Sequence, residues 1–143
     1  MIIIPLILTL LFSKPDLAKA DPKDKFYPAV VERVKDGDTI ELKTDTNLYD
    51  LKFSVRIYGI DPPELKSNFL CEKKMAQKSK EYIESLLPEG TKIYLKNPKH
   101  DKFGGRILAD IKIKDNLISE LLIKKKLAIE YFGEKKTHVW CKD

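Results

Sequence analysis

The sequence predicts an α+β domain, mainly β: a five-stranded, partly open barrel of the OB type with two to three helices. Three observations predict it. Five segments between Ala29 and Ile113 are β-branched or alternate apolar with polar residues, the period of a strand with one buried face. Between the third and fourth of them, Cys71 to Leu87 switches to helical spacing. The chain has 143 residues, 43% of them hydrophobic, which suits one compact core rather than two. OB barrels share this order of elements and many bind oligonucleotides, although a fold alone assigns no function.

Residues 1–20 stand apart. Met1 to Phe12 carries no charge and is dominated by Ile and Leu, and the polar stretch after it ends in Ala18-Lys19-Ala20. An apolar run followed by A-x-A is the pattern of a secretory signal. The run falls short of the about 20 residues that span a bilayer. No Lys or Arg precedes it, so a retained anchor is the competing reading. Cleavage after Ala20 is expected. That leaves 21–28, with Pro22 and Pro28, as an arm and 29–143 as the domain.

The first strand, Ala29 to Val34, is β-branched and stops at the turn Asp36-Gly37-Asp38. Thr39 to Lys43 alternates as a second strand, and Thr44 to Asp50 is a polar connection. Leu51 to Tyr58 alternates again, with Leu51, Phe53, Val55 and Ile57 on one face. Three strands in succession predict an antiparallel meander. In the helix, Met75, Ser79, Tyr82, Ile83, Leu86 and Leu87 share a face, and Pro88-Glu89-Gly90 ends it. Thr91 to Lys96 is the fourth strand, Asn97 to Gly105 a polar loop, and Arg106 to Ile113 the fifth strand. A turn at Lys114-Asp115-Asn116 starts a second amphipathic helix, Leu117 to Lys125. The tail from Lys126 is basic and contains Tyr131, Phe132, His138 and Trp140, of which the last two read as packing residues.

The charge balance is 27 basic against 22 acidic residues, or +5. It falls to +4 once Lys14, Lys19 and Asp16 leave with the signal. That sign suits a polyanionic partner, nucleic acid or an anionic lipid surface, without choosing between them. Only Cys71 and Cys141 occur, and export places them in an oxidising compartment. A Cys71–Cys141 disulfide is expected, closing a 70-residue loop and contributing about 4 kcal/mol in the chain-entropy model. Two buried free thiols are the alternative.

Four motifs carry chemistry: Asp36-Gly37-Asp38-Thr39, Arg56, Asp61-Pro62-Pro63-Glu64, and Asp101-Lys102-Phe103-Gly104-Gly105-Arg106. Singly, each reads as a turn or a solvated charge. Together they fit phosphodiester hydrolysis, which places negative charge on oxygens around phosphorus. Asp38 and Asp61 offer hard oxygen ligands of the kind Ca²⁺ takes. Arg56 and Arg106 offer planar, permanently charged phosphate clamps. Glu64 remains to align or deprotonate a water. Zinc chemistry is disfavoured, because the only histidines are His100 and His138 and no Cys/His cluster exists.

In this order the motifs resemble those of the staphylococcal nuclease-like (thermonuclease) family, in particular its exported bacterial type. The resemblance covers Ala29 to Phe132. It implies that Asp38 and Asp61 are the two Ca²⁺ carboxylates. Pro62 stands where the family usually has Thr, and it keeps the carbonyl oxygen that serves as a ligand. The resemblance implies that Glu64 sits near the attacking water and that Arg56 and Arg106 grip the scissile phosphate. Lys102 would lie near a terminal phosphate, and Tyr131 or Phe132 would stack on a base, with core packing as the alternative for these rings. Two departures stand out: the doubled Gly104-Gly105 before Arg106, and Phe103 in place of a tyrosine.

The implied activity is a secreted, Ca²⁺-dependent phosphodiesterase acting on DNA and RNA with low sequence specificity and leaving 3′-phosphates. It would be a monomer in the periplasm or the medium, with no stable membrane association after signal cleavage. The competing reading is a catalytically silent OB module that only binds nucleic acid. A third is an envelope protein that uses its basic surface on anionic lipid.

Overall fold

The first three alternating segments pair in the order in which they occur. In the computed structural model, which describes residues 25–47, 49–102 and 104–141, β1 (Phe26–Val34) runs antiparallel to β2 (Thr39–Thr44), and β2 to β3 (Lys52–Ile57). This is the predicted meander. The expected signal peptide, residues 21–24 of the arm, and Phe103 lie outside the described residues.

β1 begins three residues earlier than its β-branched stretch, because Phe26, Tyr27 and Pro28 pair with Lys96, Leu95 and Tyr94 of β5 (Lys92–His100). A register shift between Val31 and Arg33 adds a residue on β1. That bulge resets the alternation, so Ala29, Val31 and Val34 are all buried. β5 also outruns expectation. Residues expected to open a loop continue the strand to His100, through a second shift between Lys96 and Lys99. Asn97 lies there at φ 52, a left-handed conformation that asparagine adopts more readily than most residues.

The remaining elements are β4 (Ile60–Asp61), α1 (Leu70–Leu86), β6 (Arg106–Ile113), β7 (Asn116–Leu117), α2 (Ile118–Lys124) and β8 (Ile129–Glu130). The main sheet runs β3-β2-β1-β5-β6-β7, and β3 also pairs in parallel with β6. This pairing closes a five-stranded barrel that the sequence predicted as partly open. Among the described residues two helices accompany it, and neither is long and apolar enough to cross a membrane.

The barrel interior is filled by Val31, Ile40, Leu42, Val55, Ile57, Ile93, Leu95, Ala109 and Ile111, capped by Ile83 and Leu87 of the α1 end and by Ile118 and Leu122 of α2. These are the faces read from the periodicity, with one correction. Leu51 is 62% exposed, because it lies before the paired part of β3. The start signal at Asn116 is not used either, since Leu117 occupies the α2 cap position and no side chain caps it. A small second sheet, β4 with β8, had no periodicity to reveal it.

Candidate active site

The turn Asp36-Gly37-Asp38 is built by its own side chains. The Asp38 amide donates to Asp36 Oδ1 at 3.1 Å, the bond of an Asx turn. Gly37 is required by close approach: a Cβ there would lie 2.8 Å from Pro62 Cβ and 3.2 Å from Ser79 Cβ. The turn thus packs directly on the Asp61-Pro62-Pro63-Glu64 segment. The pairing of β2 with β3 sets Thr39 opposite Arg56, and the Ile57 amide donates to the Asp38 carbonyl at 2.7 Å. Arg56 Nη2 then lies 3.0 Å from Asp38 Oδ2, while the Thr39 hydroxyl donates to Asp38 Oδ1 at 2.7 Å. Burial pushes the Asp38 carboxyl up to about 6, against the pull of the Arg56 charge and the Thr39 hydrogen bond.

The parallel β3–β6 seam brings the second arginine in. Ser54 pairs with Arg106 and Arg56 with Leu108, whereas Val55, Ile57 and Ala109 point into the core. Strand alternation therefore places Arg56 and Arg106 on the same outer face of adjacent strands. The doubled glycine lies before the strand begins. Gly105 takes φ 82, and a Cβ at Gly104 or Gly105 would meet nothing within 4 Å. The Asp101 amide donates to the Arg106 carbonyl at 3.2 Å, closing the loop, and Arg106 Nη2 lies 2.7 Å from Asp101 Oδ2.

Asp61 is held by β4, which pairs with β8, and the Tyr131 amide donates to the Gly59 carbonyl at 3.0 Å just beyond. Asp61 is buried, as are Pro62 and Pro63, while the Glu64 side chain is exposed. The Glu64 backbone is positioned by α1: its amide donates to Glu72 Oε1 at 3.1 Å, and the Ser67 hydroxyl donates to Glu72 Oε2 at 2.5 Å. Lys136, from the tail, reaches both acids, with Nζ 2.7 Å from Asp61 Oδ1 and 3.5 Å from Glu64 Oε1. Burial works against its charge, but the hydrogen bond to Asp61 and the charges of Asp61 and Glu64 outweigh that and raise its pKa.

Two adjoining cavities result. One, of about 400 Å³, is lined by Asp36, Asp38, Asp61 and Glu64 together with Lys35, Arg56, Lys66, Arg106 and Lys136. Five cations against four acids leave it attractive to a phosphodiester. The other, of about 510 Å³, shares Arg56, Glu64, Arg106 and Lys136 and adds Lys102, His100, Tyr58, Tyr131 and Phe132. Phe132 packs against Tyr58 with ring centroids 5.5 Å apart and is 61% exposed, whereas Tyr131 is half-buried beneath Lys136 Nζ, 5.6 Å from its ring centre.

The residues singled out from the sequence, Asp38, Arg56, Asp61, Pro62, Glu64, Lys102, Arg106 and Tyr131, therefore all line one or both cavities. Cys71 and Cys141 lie away from them, as a disulfide. Sequence reading missed Lys136, Lys35 and Glu72. Glu72 falls in the first turn of a helix, where an acid is ordinary, and Lys136 is one of several lysines in a basic tail. Among the described residues no three His, Cys, Asp or Glu side chains converge as a metal cage. The acids at hand offer only hard oxygen. That is the ligand type a hard ion such as Ca²⁺ takes, and Asp38 and Asp61 each already meet a cation of the chain, Arg56 and Lys136.

The staphylococcal nuclease homologue family model matches residues 54–140. An uncharacterized protein of Bacillus anthracis is 34% identical over 96 residues, which cover 66% of this chain and 42% of that protein. The chain thus spans well under two thirds of that relative.

Proposed function

Because the chain belongs to the staphylococcal nuclease homologue family, we propose that it is an exported nuclease that hydrolyses the phosphodiester bonds of DNA and RNA with Ca²⁺ as its ion. The observation that carries this reading is the meeting of Arg56 and Arg106 with Asp38, Asp61 and Glu64 around one cavity.

Asp38, Asp61 and the Pro62 carbonyl would hold the ion, which when bound neutralises charge on a phosphate oxygen and polarises a water. The other roles belong to the chain. Arg56 and Arg106, on neighbouring strands, donate parallel hydrogen bonds to the scissile phosphate and stabilise the charge that builds there. Asp38 and Asp101 hold the two guanidinium groups, so little reorganisation is needed. Glu64, fixed at its amide by Glu72, orients the water and accepts its proton. Lys102 binds a flanking phosphate, and Tyr131 or Phe132 receives a base in the adjoining cavity. Contacts made mostly to phosphate give low sequence specificity. By family analogy the products carry 3′-phosphates. The disulfide is in keeping with export.

The test is cleavage of plasmid and single-stranded DNA by residues 21–143, with Ca²⁺, with EDTA, and with Arg106→Ala. Degradation that needs Ca²⁺ and falls at least about a hundredfold in the variant is expected. Intact DNA from folded protein in every arm would leave a silent binding module as the better reading.

A further inference from the structure

The outer face of β6 does not end at the candidate active site. Arg106, Leu108, Asp110 and Lys112 alternate onto one side of the strand. Arg106 and Leu108 line the second cavity, and Lys112 lies at the far end. Beside Lys112 the pairing of β1, β5 and β6 assembles a small platform. Tyr94 pairs with Lys112 and with Pro28, and Phe26 pairs with Lys96. Phe26 and Tyr94 meet edge to face, 6.4 Å apart at an interplanar angle of 85°. Lys96 Nζ and Lys112 Nζ lie 5.5 Å and 5.2 Å from the centre of the Phe26 ring. Both rings stay open to solvent, 40% exposed for Phe26 and 47% for Tyr94.

We propose that this platform is a second binding site for single-stranded nucleic acid, continuous with the catalytic cavity along β6. It rests on the nuclease reading and deepens it, making long single strands the favoured substrate. Exposed rings flanked by lysines are the composition of a stacking platform with phosphate contacts. Both lysines are half-buried, with their ammonium groups beside the Phe26 ring, where a phosphate next to a stacked base would meet them. On the outer face of β6 itself, the acid between Arg106 and Lys112 is Asp110, which accepts from Asn97 Nδ2 at 3.1 Å. Six residues from Arg106 to Lys112 span roughly 20 Å at the rise of an antiparallel strand. A stacked strand at about 3.4 Å per nucleotide covers that with roughly six nucleotides, within the site sizes of OB barrels.

The test is fluorescence anisotropy with thymidine 3-mers and 12-mers, in EDTA so that nothing is cut, on wild type, Tyr94→Ala and Lys112→Gln. The preference for the 12-mer over the 3-mer is expected to fall at least about fivefold in Tyr94→Ala. Lys112→Gln is expected to lower the slope of log affinity against log salt for the 12-mer by about 0.7. Both side chains are at the surface, and unchanged melting confirms the fold. An unchanged 12-mer preference in both variants overturns the proposal. So does a loss confined to binding of anionic lipid vesicles, which would make the face a membrane contact. Failure of the nuclease reading shows separately, as absent cleavage with Ca²⁺, and leaves this binding assay readable.

Discussion

Asp38 is drawn in opposite directions. The barrel buries its carboxyl, which favours the neutral acid, while Arg56 at 3.0 Å and the Thr39 hydroxyl favour the anion. Burial prevails, and the group rises from 3.8 to about 6. In EDTA, a carbon-13 titration of the Asp38 carboxyl should therefore show a midpoint near 6, and Arg56→Gln should move it higher still. A wild-type midpoint near 3.8 would contradict the burial argument. The sign for stability follows from linkage. The folded state binds the proton more tightly than the unfolded chain, so this group's contribution is fully present below about 3.8 and is lost as pH rises through about 6. An acid held in this way gains by meeting a cation, which is the chemistry proposed for the site.

The elements decide which of these residues meet. Gly37 is not at positive φ, so its backbone would accept another residue. What forbids one is the Pro62 ring, 2.8 Å from where a Cβ would stand. Gly37→Ala should therefore cost about 1–3 kcal/mol by overpacking, measured by urea denaturation, and should lower cleavage by parting Asp38 from Asp61. Stability within 0.5 kcal/mol of wild type would mean that the turn yields easily. Asp38, Arg56 and Arg106 were legible in the sequence because each lies in or beside a strand that announces itself by alternation, and Asp61 because it follows the third of those segments within Asp61-Pro62-Pro63-Glu64. Lys136 was not, since it reaches Asp61 from an irregular tail. The closing seam was not legible either. The pairing of Ser54 with Arg106 is a matter of register between strands far apart in sequence, and local pattern does not carry that. The β5 extension was hidden by Asn97-Pro98, which reads as a loop and is accommodated by a bulge.

For the molecule as a whole, the tail is as much a part of the site as the barrel. It leaves β8, which is joined to β4 by only two residue pairs, and Lys136 meets Asp61 and Glu64 before the tail reaches the start of α1 at Cys141. There Cys141 is bonded to Cys71, 70 residues away, with nearly all of α1 and then β5, β6, β7, α2 and β8 inside the loop. Opening a loop of that length costs about 4 kcal/mol in the chain-entropy model, a large share of the about 5–15 kcal/mol by which domains are stable. The double variant Cys71→Ser/Cys141→Ser should lose about that much in urea denaturation. It should also speed amide exchange through residues 131–141 more than through β1 and β2, because the bond anchors one end of the tail while the short β4–β8 pairing anchors the other. Equal exchange in tail and barrel, with stability within about 1 kcal/mol of wild type, would show that Lys136 and β8 hold the tail unaided. In the expected case the disulfide keeps a lysine poised over two acids of the candidate site, and its reduction loosens the site before it unfolds the barrel.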